Sequence, residues 1–290
     1  AGGGEGVSMT VGGFARDDGR TVRVELWVRS ASGRKLLEET YRGSSTAVRL
    51  LAHEAADDIV QRAIDRPGIA ASKVALIGRK GQATEVYICD ADGARLRALT
   101  SDGTVSVSPR WGPDRKTIAY TSYKTGYPDA YRLTLLDDGR VKRRPVSKYP
   151  GVNLGAEISP DGDRLAVILS KDGNPDLYVK RLSSDRLRRL TRTRFAAEAS
   201  PSWSADGSRI VYVADGSRRP QLYIVDGDGG APRQITFDRV HGTENVSPDW
   251  GPDGRIAYSS RRNGVYQVYV YDAKTGTHTQ LTRDGAEHEE

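Results

Sequence analysis

Few residues in this 290-residue chain are of a type and spacing to do chemistry. No Gly-x-Ser-x-Gly elbow occurs, so an α/β-hydrolase nucleophile has no place here. The segments Asp90-Ala-Asp92-Gly93 and Asp226-Gly-Asp228-Gly-Gly230 look like calcium loops. They lack the downstream bidentate Glu of that motif and sit where a hairpin must turn, so turns are expected. The four histidines are scattered: His53 in a helical stretch, His241 in a loop, His278 on an outer strand and His288 in the tail. No three of them lie at ligand spacing, and solvated side chains are expected. Cys89 stands alone in the alternating run Glu85-Val-Tyr-Ile-Cys-Asp90, which excludes an intramolecular disulfide and reads as a buried strand position. Gly2, Gly3, Gly4 and Gly6 follow no strand and open no helix, so they make no phosphate loop. This inventory predicts no catalytic residue, no metal site and no cofactor.

The elements that would carry a binding site are easier to read. Only 37% of residues are apolar, whereas Gly (32) and Tyr (14) are abundant, a balance that suits short strands joined by tight turns. No run of 18 apolar residues is present, so no segment reads as a membrane-spanning helix. The formal charge of +6 arises from basic residues interleaved with acids, as in Arg181-Leu-Ser-Ser-Asp185-Arg186. Such alternation belongs to solvated outer strands, and no nucleic-acid partner is predicted.

Residues 1–70 read as a partial small α/β domain. Val7, Met9 and Val11 alternate with small or polar residues. Ala15–Gly19 has turn chemistry, Val22 to Val28 alternates again, and a third strand covers Leu36–Tyr41. From Ser45 the period lengthens. Val48, Leu51, Ala52, Ala55, Ile59 and Ala63 define one face of an amphipathic helix, with Ser44 or Ser45 as N-cap and Pro67-Gly68 as its stop. His53 falls on the polar side.

Residues 71–290 are periodic. Ser108-Pro-Arg-Trp111-Gly-Pro-Asp114 returns as Ala156-Glu-Ile158-Ser-Pro-Asp-Gly162, Ser200-Pro-Ser-Trp203-Ser-Ala-Asp-Gly207 and Ser247-Pro-Asp-Trp250-Gly-Pro-Asp-Gly254. Each is followed by an apolar strand (Ile118-Ala-Tyr120 is the first), then an aromatic one, and closes on an apolar residue plus a hydroxyl. Those closures are Leu99-Thr100, Val146-Ser147, Leu190-Thr191, Ile235-Thr236 and Leu281-Thr282, spaced by 44 to 47 residues. That is the length of a four-stranded propeller blade. A blade cannot bury both faces alone and must stack on neighbours around an axis, with the large aromatic as a wedge. The fold expected is an all-β propeller in which five copies are visible, the first lacking its Trp strand.

With these residues the chain resembles the TolB family over essentially its whole length. The repeat is similar to that family's Pro-x-Trp-Ser-Pro-Asp-Gly, Ile-Ala-Tyr and Leu-Thr pattern. Upstream, Thr21-Val-Arg-Val-Glu-Leu26, Ser32-Gly33, Tyr41-Arg-Gly43 and Leu51-Ala-His53-Glu-Ala-Ala-Asp-Asp58-Ile59 resemble the end of the family's N-terminal domain. The resemblance implies six blades, a chain truncated at both ends, and a non-catalytic periplasmic scaffold of the Tol–Pal envelope system. Its implied partners are a Pal-like peptidoglycan-associated lipoprotein on the propeller face and TolA through an absent N-terminal tail, with the membrane touched only through partners. Matched residue by residue, the implied contact loops lead into the Trp strands: Val152, Asn153, Leu154 and Gly155; Glu198, Ala199 and Ser200; Thr243, Glu244 and Asn245. The rival reading is the propeller of a prolyl-oligopeptidase-like serine hydrolase whose Gly-x-Ser-x-Gly segment would follow residue 290.

Overall fold

The computed structural model describes residues 9–216, 219–237, 242–262 and 264–283. The polypeptide divides into two compact units. One runs up to Val74 and includes Ile88–Arg97, and the other holds Ala75–Tyr87 and the chain from Ala98 onward.

In the first unit, β1 (Met9–Asp17), β2 (Thr21–Ser30) and β3 (Lys35–Ser44) form an antiparallel sheet in that order. Alternation in β2 sends Val22 and Val28 inward, and Leu37 of β3 joins them. Helix α1 (Val48–Ile64) buries Leu51 and Ala55, and the Tyr41 hydroxyl donates to Asp58 at 2.5 Å. Two expectations change here. The helix is entered through a 3-10 turn, Ser45–Ala47, and neither serine caps it through its side chain, because Ser45 donates instead to Asp17. His53 is not solvated: its Nδ1 meets the Ala70 carbonyl and its Nε2 lies 3.4 Å from Asp92. Asp92 belongs to the turn Asp90–Gly93, where buried Asp90 accepts from Lys73 (2.9 Å) and Arg95 (2.7 Å). These hydrogen bonds hold the Asp90 carboxyl down at about 2.

The second part of the chain is a succession of antiparallel sheets. The first is three-stranded, β4 (Lys73–Lys80), β5 (Ala83–Asp90) and β6 (Arg97–Ala98). Next come β7 (Ser106–Trp111), β8 (Thr117–Ser122), β9 (Asp129–Leu135) and β10 (Val141–Ser147). The third sheet is β11 (Asn153–Ile158), β12 (Arg164–Leu169), β13 (Asp176–Arg181) and β14 (Leu187–Arg189). The fourth is β15 (Glu198–Trp203), β16 (Arg209–Ala214), β17 (Gln221–Asp226) and β18 (Arg233–Gln234). The fifth is β19 (Glu244–Trp250), β20 (Arg255–Arg262), β21 (Val265–Asp272) and β22 (His278–Gln280). In every four-stranded sheet the strand order follows the chain, with the Trp strand or its equivalent at one edge.

The wedge residue does what blade stacking requires. Trp203 packs among Ala166, Ile168, Leu177 and Val179 of the preceding sheet. Trp250 packs against Val211, Val213, Leu222 and Ile224, and Ile158 takes the same place against Ala119 and Ala130. The repeated tyrosines are cross-strand pairs: Tyr120–Tyr131, Tyr212–Tyr223 and Tyr258–Tyr269, with ring centroids 5.9, 5.8 and 5.7 Å apart. The closing hydroxyl has an equally local reason. Thr100, Thr191, Thr236 and Thr282 accept the amides of Val86, Leu177, Leu222 and Val268 at 2.8–2.9 Å, satisfying a buried donor that the short outer strand cannot reach.

Candidate protein-binding rim

Each Trp strand contains a bulge three residues before its wedge. The register shifts between Val107 and Arg110, Leu154 and Glu157, Ala199 and Ser202, and Val246 and Asp249. The residue at the shift is left-handed in every case: Ser108 (φ 53), Gly155 (φ 61), Ser200 (φ 48) and Ser247 (φ 51). A bulge resets the pleat and re-aims the side chains beyond it. Here it sends the wedge into the neighbouring sheet. The segments expected as loops are therefore largely strand. Asn153–Gly155 lie in β11, Glu198–Ser200 in β15 and Glu244–Asn245 in β19, whereas Val152 and Thr243 precede their strands. The broken alternation at the bulge disguised them.

At the start of these strands the side chains divide into anchors and presented groups. Asn153 is fully buried: its Oδ1 accepts from Ser147 Oγ (2.7 Å) and Tyr149 N (2.8 Å), and its Nδ2 donates to Tyr149 O (2.8 Å). Glu198, five residues before Trp203 as Asn153 is before Ile158, is buried too. It accepts from Leu177 N at 2.7 Å and from the Thr191 hydroxyl. Burial, with Asp176 nearby, pushes its carboxyl up to about 7. Asn245 occupies the same position in β19 and donates to Gln221 Oε1 (2.9 Å), while buried Thr243 accepts from Gln221 Nε2 through its carbonyl (3.0 Å). The backbone amides of Asn153, Glu198 and Asn245 each donate to the carbonyl of a proline in the preceding sheet's hairpin: Pro128, Pro175 and Pro220.

Ala199 is exposed, and Val152, Leu154, Gly155, Ser200 and Glu244 are half-buried. Gly155 and Ser200 adjoin, since a Cβ at Gly155 would lie 2.9 Å from Pro201 Cδ. Glu244 turns toward Arg219 (2.8 Å) and the Tyr266 hydroxyl (2.9 Å). The arrangement is a rim of fixed backbone with polar tethers inward and, apart from Glu244, small or apolar groups at the half-buried and exposed positions.

One set of residues has no counterpart among the sequence-based expectations. The position before each wedge is Arg110, Glu157, Ser202 or Asp249, and these meet where the first strands approach one another. Arg110 reaches across to Asp249 at 3.4 Å. Glu157 accepts from Trp203 N (2.9 Å) and Ser202 Oγ (3.2 Å), and Ser202 Oγ in turn accepts from Trp250 N (3.1 Å). Burial raises the Glu157 carboxyl to about 7. Their constant offset of one from the wedge was the available signal.

Among the described residues no three His, Cys, Asp or Glu side chains converge on a metal position. Asp90–Gly93 and Asp226–Gly229 act as hairpin turns, Gly93 N donating to Asp90 O and Gly229 N to Asp226 O. His278 lies on the outer strand β22 and bonds the Tyr258 hydroxyl (2.9 Å). His241, His288 and the glycines at 2, 3, 4 and 6 lie outside the described residues. No described helix is long and apolar enough to cross a membrane.

Known proteins place this architecture. A TolB homologue of Chlorobium luteolum is 28% identical over 231 residues, covering 79% of this chain and 51% of its own length. The Tol-Pal system protein TolB of Anaeromyxobacter dehalogenans is 35% identical over 173 residues, covering 59% and 38%. The chain thus spans about half the length, or less, of these curated relatives. The crystal structure of TolB from Acinetobacter baumannii superimposes with a TM-score of 0.83 at 26% identity, covering 94% of this chain and 69% of that one. Residues 61–290 match the TolB beta propeller domain, and the chain belongs to that family.

Proposed function

We propose that this chain is the recruiting part of a non-catalytic, periplasmic Tol–Pal scaffold. Its rim at the starts of β11, β15 and β19 takes a Pal-like peptidoglycan-associated lipoprotein. The observation that carries the proposal is the repeated anchor. Asn153, Glu198 and Asn245 fix three equivalent strand starts from inside, so the outward groups beside them are held before any partner arrives. Pre-ordering of this kind lowers the entropy lost on association. Contact with TolA, on the same reading, belongs to sequence upstream of the described residues.

The test is calorimetric titration of the full-length parent protein with the periplasmic domain of its own Pal-like lipoprotein. Val152→Arg and Ala199→Arg each add bulk and charge to the rim without touching an anchor. Each is expected to weaken binding by at least about tenfold. Unchanged affinity in both variants removes the rim from the interface. A Gly-x-Ser-x-Gly segment after residue 290 in the parent gene, with hydrolysis of a prolyl peptide, would replace this reading by that of a hydrolase propeller.

A further inference from the structure

The outward face of the three-stranded sheet, opposite the buried Val22, Val28 and Leu37, carries an unusual charge pattern. Arg16 of β1 pairs in register with Arg23 of β2, and Arg23 pairs with Arg42 of β3. Three guanidinium-bearing residues therefore stand in one row across three strands, each strand about 5 Å from the next. All three are exposed. Like charges placed directly opposite one another destabilise a sheet. Arg23 is paired to Glu25 at 2.8 Å, but Arg16 and Arg42 have no ion-pair partner among the described residues. The next row on the same face holds Phe14, opposite Glu25, and Phe14 is 69% exposed. In the row beyond, Gly12 lies opposite Trp27, whose ring covers it closely enough that a Cβ would collide.

A sheet face that needed only solubility would alternate signs. Two uncompensated arginines flanking a third, beside a bare phenyl ring, fit an occupant that supplies carboxylates and one apolar side chain. We infer that this face binds an extended acidic segment of a protein partner, with Arg16 and Arg42 each gripping a carboxylate and Phe14 covering an apolar side chain. The guanidinium fork matches a carboxylate in two parallel hydrogen bonds. Glu25 sits in the middle of the face, where a continuous anionic surface such as a lipid bilayer would be repelled, but a segment with spaced carboxylates can step over it. This site is independent of the rim proposed for the lipoprotein.

The test uses the whole chain and a fluorescein-labelled peptide of alternating Glu and Leu, followed by anisotropy at physiological ionic strength. Phosphatidylglycerol vesicles and oligothymidylate serve as parallel probes. The peptide is expected to bind, and Arg16→Glu/Arg42→Glu to weaken it by at least about tenfold. Phe14→Ser should weaken it severalfold, and the milder Arg16→Gln/Arg42→Gln pair should repeat the loss if the charge reversal perturbs folding. The control pair Arg140→Glu/Arg144→Glu, on exposed propeller positions with the same charge change, should leave binding within about twofold. No peptide binding, equal loss in the control, or tighter Arg16- and Arg42-dependent retention on vesicles or oligonucleotide each overturns the inference.

Discussion

Replacing Arg115 by glycine is expected to stabilise the propeller. In three copies of the turn after the wedge the left-handed position is glycine: Gly162 (φ 78), Gly207 (φ 67) and Gly254 (φ 84). In the remaining copy it is Arg115, with φ 54. A side chain held there costs about 1–2 kcal/mol. Glycine returns roughly 0.5–1 kcal/mol of that through the greater freedom of the unfolded chain. The net gain for Arg115→Gly is therefore about 0.5–1 kcal/mol. Arg115 is exposed, so little packing is lost with its side chain. Gly254→Ala is the mirror experiment. Its Cβ would meet nothing closer than Lys274 Cε at 4.0 Å, so the backbone conformation alone sets a loss of about 1 kcal/mol. Arg115→Ala keeps the strain and should change little. The assay is urea unfolding followed by tryptophan fluorescence, because Trp111, Trp203 and Trp250 all lie in the sheets that stack. The midpoint should rise for Arg115→Gly and fall for Gly254→Ala, with the slope constant. If Arg115→Ala stabilises as much as Arg115→Gly, side-chain repulsion rather than backbone strain is the cause, and the reasoning fails.

Trp203→Ala should cost about 3–5 kcal/mol, measured by the same unfolding curves, since it empties the contact between two sheets and removes the Nε1 donor to Glu157 O. Thr236→Val leaves the Leu222 amide without its acceptor and should cost about 1–3 kcal/mol, with faster exchange of that amide in deuterium. The raised Glu198 carboxyl makes its contribution pH-dependent. The folded protein holds the proton to about 7 and the unfolded chain only to 4.5, so this contribution is whole below about 4.5 and is lost as pH rises toward 7. Relative to the parent, Glu198→Gln should gain on the order of 3 kcal/mol between about pH 4.5 and about pH 8 in denaturation midpoints, and an equal difference at both pH values contradicts the assignment.

The propeller was legible because turn chemistry and aromatic cross-strand pairs leave the same residue types at the same offsets in copy after copy. The rim was only half legible. A serine before proline has no sequence signature for a left-handed conformation, so Ser200 reads as loop rather than as the bulge inside a strand. The anchors Asn153, Glu198 and Asn245 share their place five residues before the wedge, but two are amides and one is a carboxylate, and their burial is not disclosed by spacing alone. The residues before the wedge were missed for a related reason: Arg110, Glu157, Ser202 and Asp249 keep their offset but change charge from copy to copy, so no residue type repeats there. In the first unit, the strands and helix came from period alone. His53 did not, because its partners, Ala70 and Asp92, are distant in the chain.

The first residue of the second strand in one sheet stacks on the wedge of the next: Arg164 over Trp203 at 4.7 Å, and Arg209 over Trp250 at 5.1 Å. Where the following wedge is Ile158, that residue is Thr117, not arginine. The third and fourth sheets, and the fourth and fifth, are thus matched across their junctions by an arginine on one side and an indole on the other. Duplicating the third sheet would strand Arg164 against the aliphatic Ile158, and deleting it would leave the Trp203 indole beside Thr117, whereas deleting or duplicating the fourth would keep an arginine over every wedge it disturbs. Exchanges that move a wedge together with the preceding arginine would be tolerated.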